Sequence, residues 1–339
     1  MRTFFKKLPS CFLVRGYCRS AIIDTQRKDL YTIPNSMEYI ISNYHNRSIE
    51  WIKNHYSNNP IINDYFNFLI DNQLIYIASE LSELSKLKDI NISFEKPSLI
   101  DNCIVEIDSF SDYNFSTVIY ELNLLNCIAL EIRILSLISI DQIYEILQNT
   151  NDSTIRTVVL YLPFEINLNY IKLLSTFPRV TSIFFYNSPN NKIIHHYSRS
   201  LFFIKQNSIC KNECGNINPK YFSLDINTVL ESMYYNNCLN AKLSISANGD
   251  IKNCPAADKV YGNIASSKIS EIATSEKFKK LWSITKDLID ECKDCEFRYI
   301  CIDCRSIVKD KHNIFSKPLK CNYNPYKAEW VQPSSVSGF

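Results

Sequence analysis

The residues with the most chemical capacity in this sequence are its thirteen cysteines. Cys11, Cys18, Cys103 and Cys127 are scattered over the first two thirds, and the other nine fall between Cys210 and Cys321. Within that stretch Cys238 is followed, after fifteen intervening residues, by Cys254, in a segment GDIKNC that reads Gly-x4-Cys from Gly249. The run CKDCEFRYICIDC then carries Cys292, Cys295, Cys301 and Cys304 as two Cys-x2-Cys pairs five residues apart, and Cys321 follows after sixteen more. A Cys-x2-Cys pair reaches one metal or cluster from a single turn, so two pairs this close point to thiolate ligation. The seven ordered cysteines are one short of two four-thiolate sites, and Cys210 and Cys214 lie just upstream to supply the eighth. Iron-sulfur clusters and zinc use the same count, and the arithmetic leaves both open.

These thiols need elements that bring them together. A turn at Asn248-Gly249 makes the Cys238 to Cys254 segment a hairpin with both sulfurs at one end. Phe222 to Tyr235 reads as a helix, and Ile269 to Ile284 contains another carrying Phe278, Leu281 and Trp282 on one side. Upstream, from about Ile100 to Gln206, short apolar runs alternate with amphipathic stretches. Strands are expected at Cys103–Ile107, Ala129–Ile134, Thr157–Leu162, Thr181–Tyr186 and Leu201–Ile204, with helices at Thr117–Leu125, Asp141–Leu147 and Asn167–Ser175 between them. Such alternation predicts an α/β fold with a mostly parallel sheet, open or curved into a partial (β/α) barrel. The first 80 residues read as a separate small module: two strands joined by a turn near Gly16 to Arg19, a helix from Asn35 or Ser36 through Ile41, short helices at Trp51–Tyr56 and Ile61–Ile70, and a closing strand at Leu74–Ile77. Strands with three short helices resemble a winged-helix module. The expected organisation is therefore 1–80, winged-helix-like; 100–206, partial barrel; 207–235, linker and helix; and 236–330, the cysteine-rich domain.

Composition narrows the function. A chain of 339 residues with 46% hydrophobic content buries proper cores. Thirty-seven basic against thirty-five acidic residues leave a formal charge of +2, so no strong field marks a nucleic-acid or membrane-surface binder. The apolar stretches of MRTFFKKLPSCFLVRG are too short for a signal-peptide core or a membrane span, which places the chain in the cytoplasm, where thiols stay reduced and a disulfide framework is not expected. The five glycines, Gly16, Gly215, Gly249, Gly262 and Gly338, are all isolated; no phosphate-cradling loop or dinucleotide fingerprint is present.

The cysteine order resembles that of the SPASM domain, which follows radical SAM domains in peptide-maturing enzymes. The match runs from about Asn237 to Trp330 and departs from the usual pattern in one place, where Cys301 and Cys304 are separated by two residues instead of three. More narrowly, the blocks NNCLNAKLSI, GDIKNCP, FKKLWSITKD, CEFRYICIDCR and SKPLKCNYNPY, with RSAIIDTQRKDLYTIPNS near the N-terminus, resemble the SPASM-domain peptide maturase of grasp-with-spasm systems. The resemblance implies that Cys292, Cys295, Cys301 and Cys321 hold one auxiliary [4Fe-4S] cluster. It implies that Cys238, Cys254 and Cys304 hold a second, its fourth position taken by Cys214 or Cys210 or left open for substrate. It further implies maturation of a ribosomally made peptide beside an ATP-grasp ligase, with the N-terminal module binding the leader and the SPASM domain meeting the core peptide or the ligase.

One part of that family's pattern is missing. The Cys-x3-Cys-x2-Cys motif that leaves one iron free for S-adenosylmethionine does not occur: Cys210-x3-Cys214 comes nearest, with Ile217 at the third position, and the loop after the first barrel strand, DSFSDYNF, has no cysteine. Cofactor cleavage is therefore not expected. The remaining readings are a non-catalytic adaptor that delivers precursor to the ligase, with structural clusters or zinc, and a DNA-binding redox sensor, which the charge balance disfavours. Other polar residues have modest roles in prospect. His195-His196 reads as a solvated loop pair, Glu106, Asp108 and Asp112 as turn and capping residues, and Arg298, Tyr299 and Arg305 as local packing between the cysteines.

Overall fold

The structure is a computed structural model that describes residues 2–164, 169–206 and 214–331. In the N-terminal region β1 (Phe4–Lys7) pairs antiparallel with β5 (Ile75–Ala78), and β2 (Cys11–Arg15), β3 (Ser20–Asp24) and β4 (Asp29–Ile33) form an antiparallel meander. Three helices complete it: α1 (Asn35–Asn43), α2 (Ile49–His55), capped by the Ser48 hydroxyl, and α3 (Pro60–Asp71), opened by Asn59 and Pro60. Five strands thus stand where two and a closing strand were expected. The four-residue β1 is too short to show a period, and Lys28, at a φ of +61°, sharpens the turn that separates β4 from β3.

All of β3 is buried, yet its successive side chains enter two different cores. Ile22 joins Phe5, Ile40, Ile52, Phe66 and Leu69 under the helices, and Ile23 joins Phe12, Val14, Val229, Leu230, Phe297, Ile300 and Tyr323 on the other side. The second of these cores belongs jointly to the first and last parts of the chain. Each aliphatic side chain fully buried this way contributes roughly 1.5–3 kcal/mol.

A short helix, α4 (Leu81–Leu84), leads into the main sheet, whose strand order is β10-β11-β9-β8-β7-β6-β12-β13-β14. β6 (Asn102–Ile107), β7 (Ala129–Ile134), β8 (Thr157–Pro163), β9 (Val180–Tyr186), β11 (Arg199–Phe203) and β12 (Lys242–Ile245) run parallel to their neighbours. β10 (Lys192–His196), β13 (Asp250–Lys252) and β14 (Gly262–Asn263) add on antiparallel at the two ends. Helices α5 (Phe115–Leu124), α6 (Ile140–Gln148) and α7 (Tyr170–Thr176) fill the crossovers. α6 starts at a reciprocal capping box between Ser139 and Gln142. Val118, Leu122, Ile143, Leu147, Leu173 and Leu174 cover one face of the sheet, where Val105, Leu130, Ile132, Val158, Leu160 and Ile183 meet them. The other face carries the alternate residues, Ile104, Glu131, Arg133, Tyr161, Phe184 and Phe202, which are less deeply buried. The α/β fold with a mostly parallel sheet is thus as expected, with helices on one side, and all five predicted strands form.

Three details differ from expectation. The predicted helix at 222–235 is a 3-10 turn at Pro219–Tyr221 and a shorter α8 (Ile226–Tyr234), because Asp225 accepts from the amides of Asn227 and Thr228 and so fixes the start. The helix at 269–284 is two short pieces, α9 (Ile269–Thr274) and α10 (Glu276–Lys279), broken where Ser275 is extended and caps the second piece. His195 and His196 lie in β10, not in a loop; Lys192 to His196 pair residue by residue with β11. The small hairpin of β15 (Tyr323–Asn324) and β16 (Glu329–Trp330) closes the described chain. Among the described residues no helix is long and apolar enough to cross a membrane.

Candidate metal centres

The Cys238 to Cys254 segment folds as its sequence predicts. β12 and β13 pair antiparallel, Ser244 opposite Lys252 and Ile245 opposite Ile251, around a turn in which Gly249 adopts a φ of +84°. Cys238 precedes the first strand and Cys254 follows the second, so both thiols emerge at the same end. There they meet two residues from distant parts of the chain. Cys214, Cys238, Cys254 and Cys304 line one cavity of about 290 Å³, together with Ile104, Arg133 and Tyr161 from the open sheet face and Lys242 from β12. Gly215, at a φ of +76°, brings the chain so close that a Cβ there would stand 2.9 Å from the Cβ of Cys304. Of the two residues considered for the eighth ligand, Cys214 is therefore in the cavity; Cys210 lies outside the described residues.

Electrostatics tie these thiols into one group. Burial pushes Cys238 up to about 11, and the thiols of Cys304, Cys214 and Cys254 push in the same direction while Lys242 opposes them. Burial likewise raises Cys304, with Cys214 and Cys254 adding to it. The Lys242 ammonium lies 3.9 Å from the Cys238 sulfur, and the Cys254 sulfur lies 3.0 Å from the Ser306 hydroxyl. On the sheet face beside the cavity, one register row runs Glu106, Arg133, Tyr161, Phe184, Phe202 across five strands. The rings of Tyr161 and Phe184 stack at 4.5 Å and those of Phe184 and Phe202 at 4.4 Å, with the Arg133 guanidinium 5.6 Å from the Tyr161 ring centre.

The second set of thiols is more local. A 3-10 turn holds Cys292 to Asp294, and the Cys295 amide donates to the Cys292 carbonyl at 3.0 Å, the tight turn that a Cys-x2-Cys pair requires. Burial pushes Cys292 up to about 12, opposed by Lys286 and reinforced by Asp303, Cys321 and Cys301. Cys295 is raised by burial and, among nearby groups, by Cys301 and Cys292; Cys301 is raised by burial and by Cys321. Cys292, Cys295, Cys301 and Cys321 thus lie together as a second group. Lys286, 5% exposed, points into it and donates to the Ile302 carbonyl at 3.0 Å. Burial alone would lower the Lys286 pKa, but Cys301, Cys292 and Asp303 outweigh it and the net direction is upward.

A short buried bridge separates the two groups. Cys301 belongs to one and Cys304 to the other, and between them Asp303, 1% exposed, accepts from Asn236 at 2.6 Å and from Arg305. Asn237, next to Cys238, donates to the Cys301 carbonyl at 3.0 Å and accepts from the Asp303 amide at 3.1 Å. A shared buried network of this kind fixes the groups relative to each other.

The first 35 residues also take part, which the sequence did not signal. Arg19 donates to Glu296 at 2.6 Å, the Tyr17 amide to the Asp294 carbonyl at 2.8 Å, and Arg298 to the Arg15 carbonyl at 2.7 Å. The β2–β3 turn therefore rests on the loop that carries Cys292, Cys295 and Cys301. At Gly16 a Cβ would come within 2.5 Å of the Arg19 carbonyl and 2.9 Å of the Glu296 amide, so only glycine allows this approach.

The remaining candidates have structural duties. Asp108 accepts from the Phe110 amide and the Ser111 hydroxyl, the turn-capping role expected of it. Arg133 lies 3.8 Å from Glu106 and 2.5 Å from Glu131. Arg298 and Tyr299 bind Asp287, and Arg305 binds Asp303 and the Ser316 carbonyl. Cys103 and Cys127 are buried among apolar neighbours of the sheet, and Cys11 among those of the N-terminal core.

The donor chemistry fits iron-sulfur clusters. Burial and the neighbouring thiols together hold Cys238 and Cys304 in the protonated form, and an inorganic core that takes the cysteines as thiolates removes that conflict. Among the described residues no three or more His, Cys, Asp or Glu are placed to hold a single metal ion.

Residues 238–296 match the family model of the SPASM domain, described as an iron-sulfur cluster-binding domain. That span takes in Cys238, Cys254, Cys292 and Cys295 and stops short of Cys301, Cys304 and Cys321. Among solved structures, the chain is similar to SuiB of Streptococcus suis bound to S-adenosylmethionine, at 10% identity over 93% of this chain and 99% of that one, with a TM-score of 0.42. It is similar to the same protein bound to its precursor peptide SuiA, at 14% identity over 89% and 96%, with a TM-score of 0.32. It is also similar to BtrN in an open conformation, at 14% identity over 59% and 94%, with a TM-score of 0.36. Likenesses this remote carry no argument about what this chain binds or does. No curated protein matches the chain.

Proposed function

We propose that this chain takes part in the maturation of a ribosomally synthesised peptide, binding the precursor and acting beside an ATP-grasp ligase, and that it carries two auxiliary [4Fe-4S] clusters. Cys292, Cys295, Cys301 and Cys321 hold the first; Cys214, Cys238, Cys254 and Cys304 hold the second. The observation that carries the reading is the cavity at which four cysteines from separate segments converge beneath the open face of an α/β sheet. The SPASM match over residues 238–296 supports iron-sulfur chemistry there, and the grasp-with-spasm resemblance of the sequence blocks supplies the peptide and the ligase. Bound clusters supply electron storage and structural cross-linking. The chain's own residues position them: the β12–β13 hairpin brings two thiols to one end, and Lys242 and Lys286 set positive charge against the sulfurs.

The winged-helix-like module supplies a peptide site of a simple kind. β4 is an unpaired edge of its meander, so a leader in extended form adds a strand beside Asp29–Ile33. Without a Cys-x3-Cys-x2-Cys motif the chain does not cleave S-adenosylmethionine in this reading. The same absence keeps the adaptor reading open, in which the clusters are structural and the protein delivers precursor to the ligase.

The test uses a precursor peptide and an ATP-grasp ligase of the grasp-with-spasm type. Mass spectrometry of the peptide treated with ligase and ATP, with and without the anaerobically purified protein, reads the modification directly. The proposal expects the full set of ligations, each with loss of water, only when this chain is present, and peptide binding that Thr32→Pro abolishes by removing an outward-facing edge amide. Ligation unaffected by the chain, together with no binding of the leader, contradicts it. Binding that persists after the clusters are stripped favours the adaptor.

A further inference from the structure

Two lysines stand against the two thiol groups, one at each: Lys242 is half-buried and Lys286 is buried. Lys242 comes from β12 and faces the sheet's open side, where its ammonium stands 3.9 Å from the Cys238 sulfur. Among the described residues it makes no salt bridge to a carboxylate. An ammonium partly withdrawn from water with no carboxylate partner is unfavourable, so the cavity is suited to hold negative charge. Cys214, Cys238, Cys254 and Cys304 line the same cavity as that ammonium, with the Arg133 guanidinium also at its wall. Lys286 stands in the same relation to Cys301 and Cys292, its ammonium anchored on the Ile302 carbonyl. Lys242 lines the cavity of the Cys238 set, and Lys286 lies with Cys301 and Cys292.

We propose that Lys242 and Lys286 are the charge partners of the two clusters, one lysine to each, and that each raises the reduction potential of its own cluster. This rests on the reading that both thiol groups hold iron-sulfur clusters. Four thiolates give a [4Fe-4S] centre a net negative charge, and one-electron reduction makes it more negative. A fixed positive charge a few ångströms away therefore stabilises the reduced form more than the oxidised one, and an N–H donor to a ligand sulfur acts in the same direction. Lys242 and Lys286 are positioning residues here; the thiolates remain the ligands.

The experiment is a potentiometric titration of the full-length, anaerobically reconstituted protein, followed by electron paramagnetic resonance, with dithionite supplying the electron. Lys242→Gln keeps a donor and removes the charge; Lys286→Gln does the same and preserves the hydrogen bond to the Ile302 carbonyl. Iron and sulfide are counted first in each variant. In Lys242→Gln one couple is expected to move to more negative potential by at least the equivalent of a tenfold change in the oxidised-to-reduced ratio, about 59 mV for a one-electron couple, while the other stays. In Lys286→Gln the other couple moves. Lys242→Arg restores the wild-type value of the first. Two clusters at full occupancy with both couples unmoved in Lys242→Gln overturn this inference and leave the function standing, as does a single couple that responds to both lysines. A wild-type protein that takes up no iron-sulfur cluster overturns both.

Discussion

The two thiol groups are assembled along opposite routes. Cys292, Cys295 and Cys301 lie within ten residues of each other and need only Cys321 to close the set. Cys214, Cys238, Cys254 and Cys304 are drawn from four segments, and the set exists only once the hairpin, the Gly215 approach and the sheet face are all in place. The local group is also the one that the N-terminal meander leans on, through Arg19, Tyr17 and the core shared by Ile23, Phe297 and Tyr323. The dispersed group opens instead on a cavity of the sheet. A compact cysteine loop thus serves as a foundation for the N-terminal module, and a dispersed set of cysteines lines a cavity of the sheet.

This contrast can be broken most severely by ligand removal. Replacing Cys292 and Cys301 together by serine should halve the iron, from about eight to about four per chain. It should also raise hydrogen exchange across β2 and β3, because their support is lost. Replacing Cys238 and Cys254 should halve the iron equally and leave exchange in β2 and β3 near wild type. Cys214→Ser should lower iron with the second pair, while Cys210→Ser should not change it. If both double variants loosen the meander alike, the division of labour is wrong.

Arg19 offers the next largest effect. Its partner Glu296 is 1% exposed, so Arg19→Met leaves a buried carboxylate without its cation and should cost about 3–5 kcal/mol in chemical denaturation. Adding Glu296→Gln should return more than half of the loss. Gly16→Ala is milder. Its Cβ meets two backbone atoms, and separating the turn from the ligand loop should cost about 1–3 kcal/mol, with iron lost only from the first group. Ser139→Ala, at the capping box of α6, touches neither group and should cost about 1 kcal/mol with no change in iron.

The sequence revealed different layers to different degrees. All five predicted sheet strands form because each is an apolar run bounded by polar turns, and the signal is local. β10 escaped notice because KIIHH is half polar and lies at the sheet edge, where alternation is not enforced by burial. The hairpin between Cys238 and Cys254 was legible from Asn248-Gly249, since a turn of that kind determines register. The choice of Cys214 as the fourth thiol was not, because it depends on a long-range approach at Gly215 that leaves no periodic trace. The docking of the β2–β3 turn on Glu296 was equally invisible: Gly16, Arg19 and Glu296 are ordinary residues until the fold brings them within hydrogen-bond reach. Lys242 and Lys286 carried no sequence signal beyond being lysines near cysteines.

The central claim, that two sets of four thiols each hold an iron-sulfur cluster, is tested most directly by counting metal and sulfide in protein purified without oxygen. The account predicts about eight irons and about eight acid-labile sulfides per chain, with zinc well below one. A colourless protein with one or two zincs and no sulfide would contradict it.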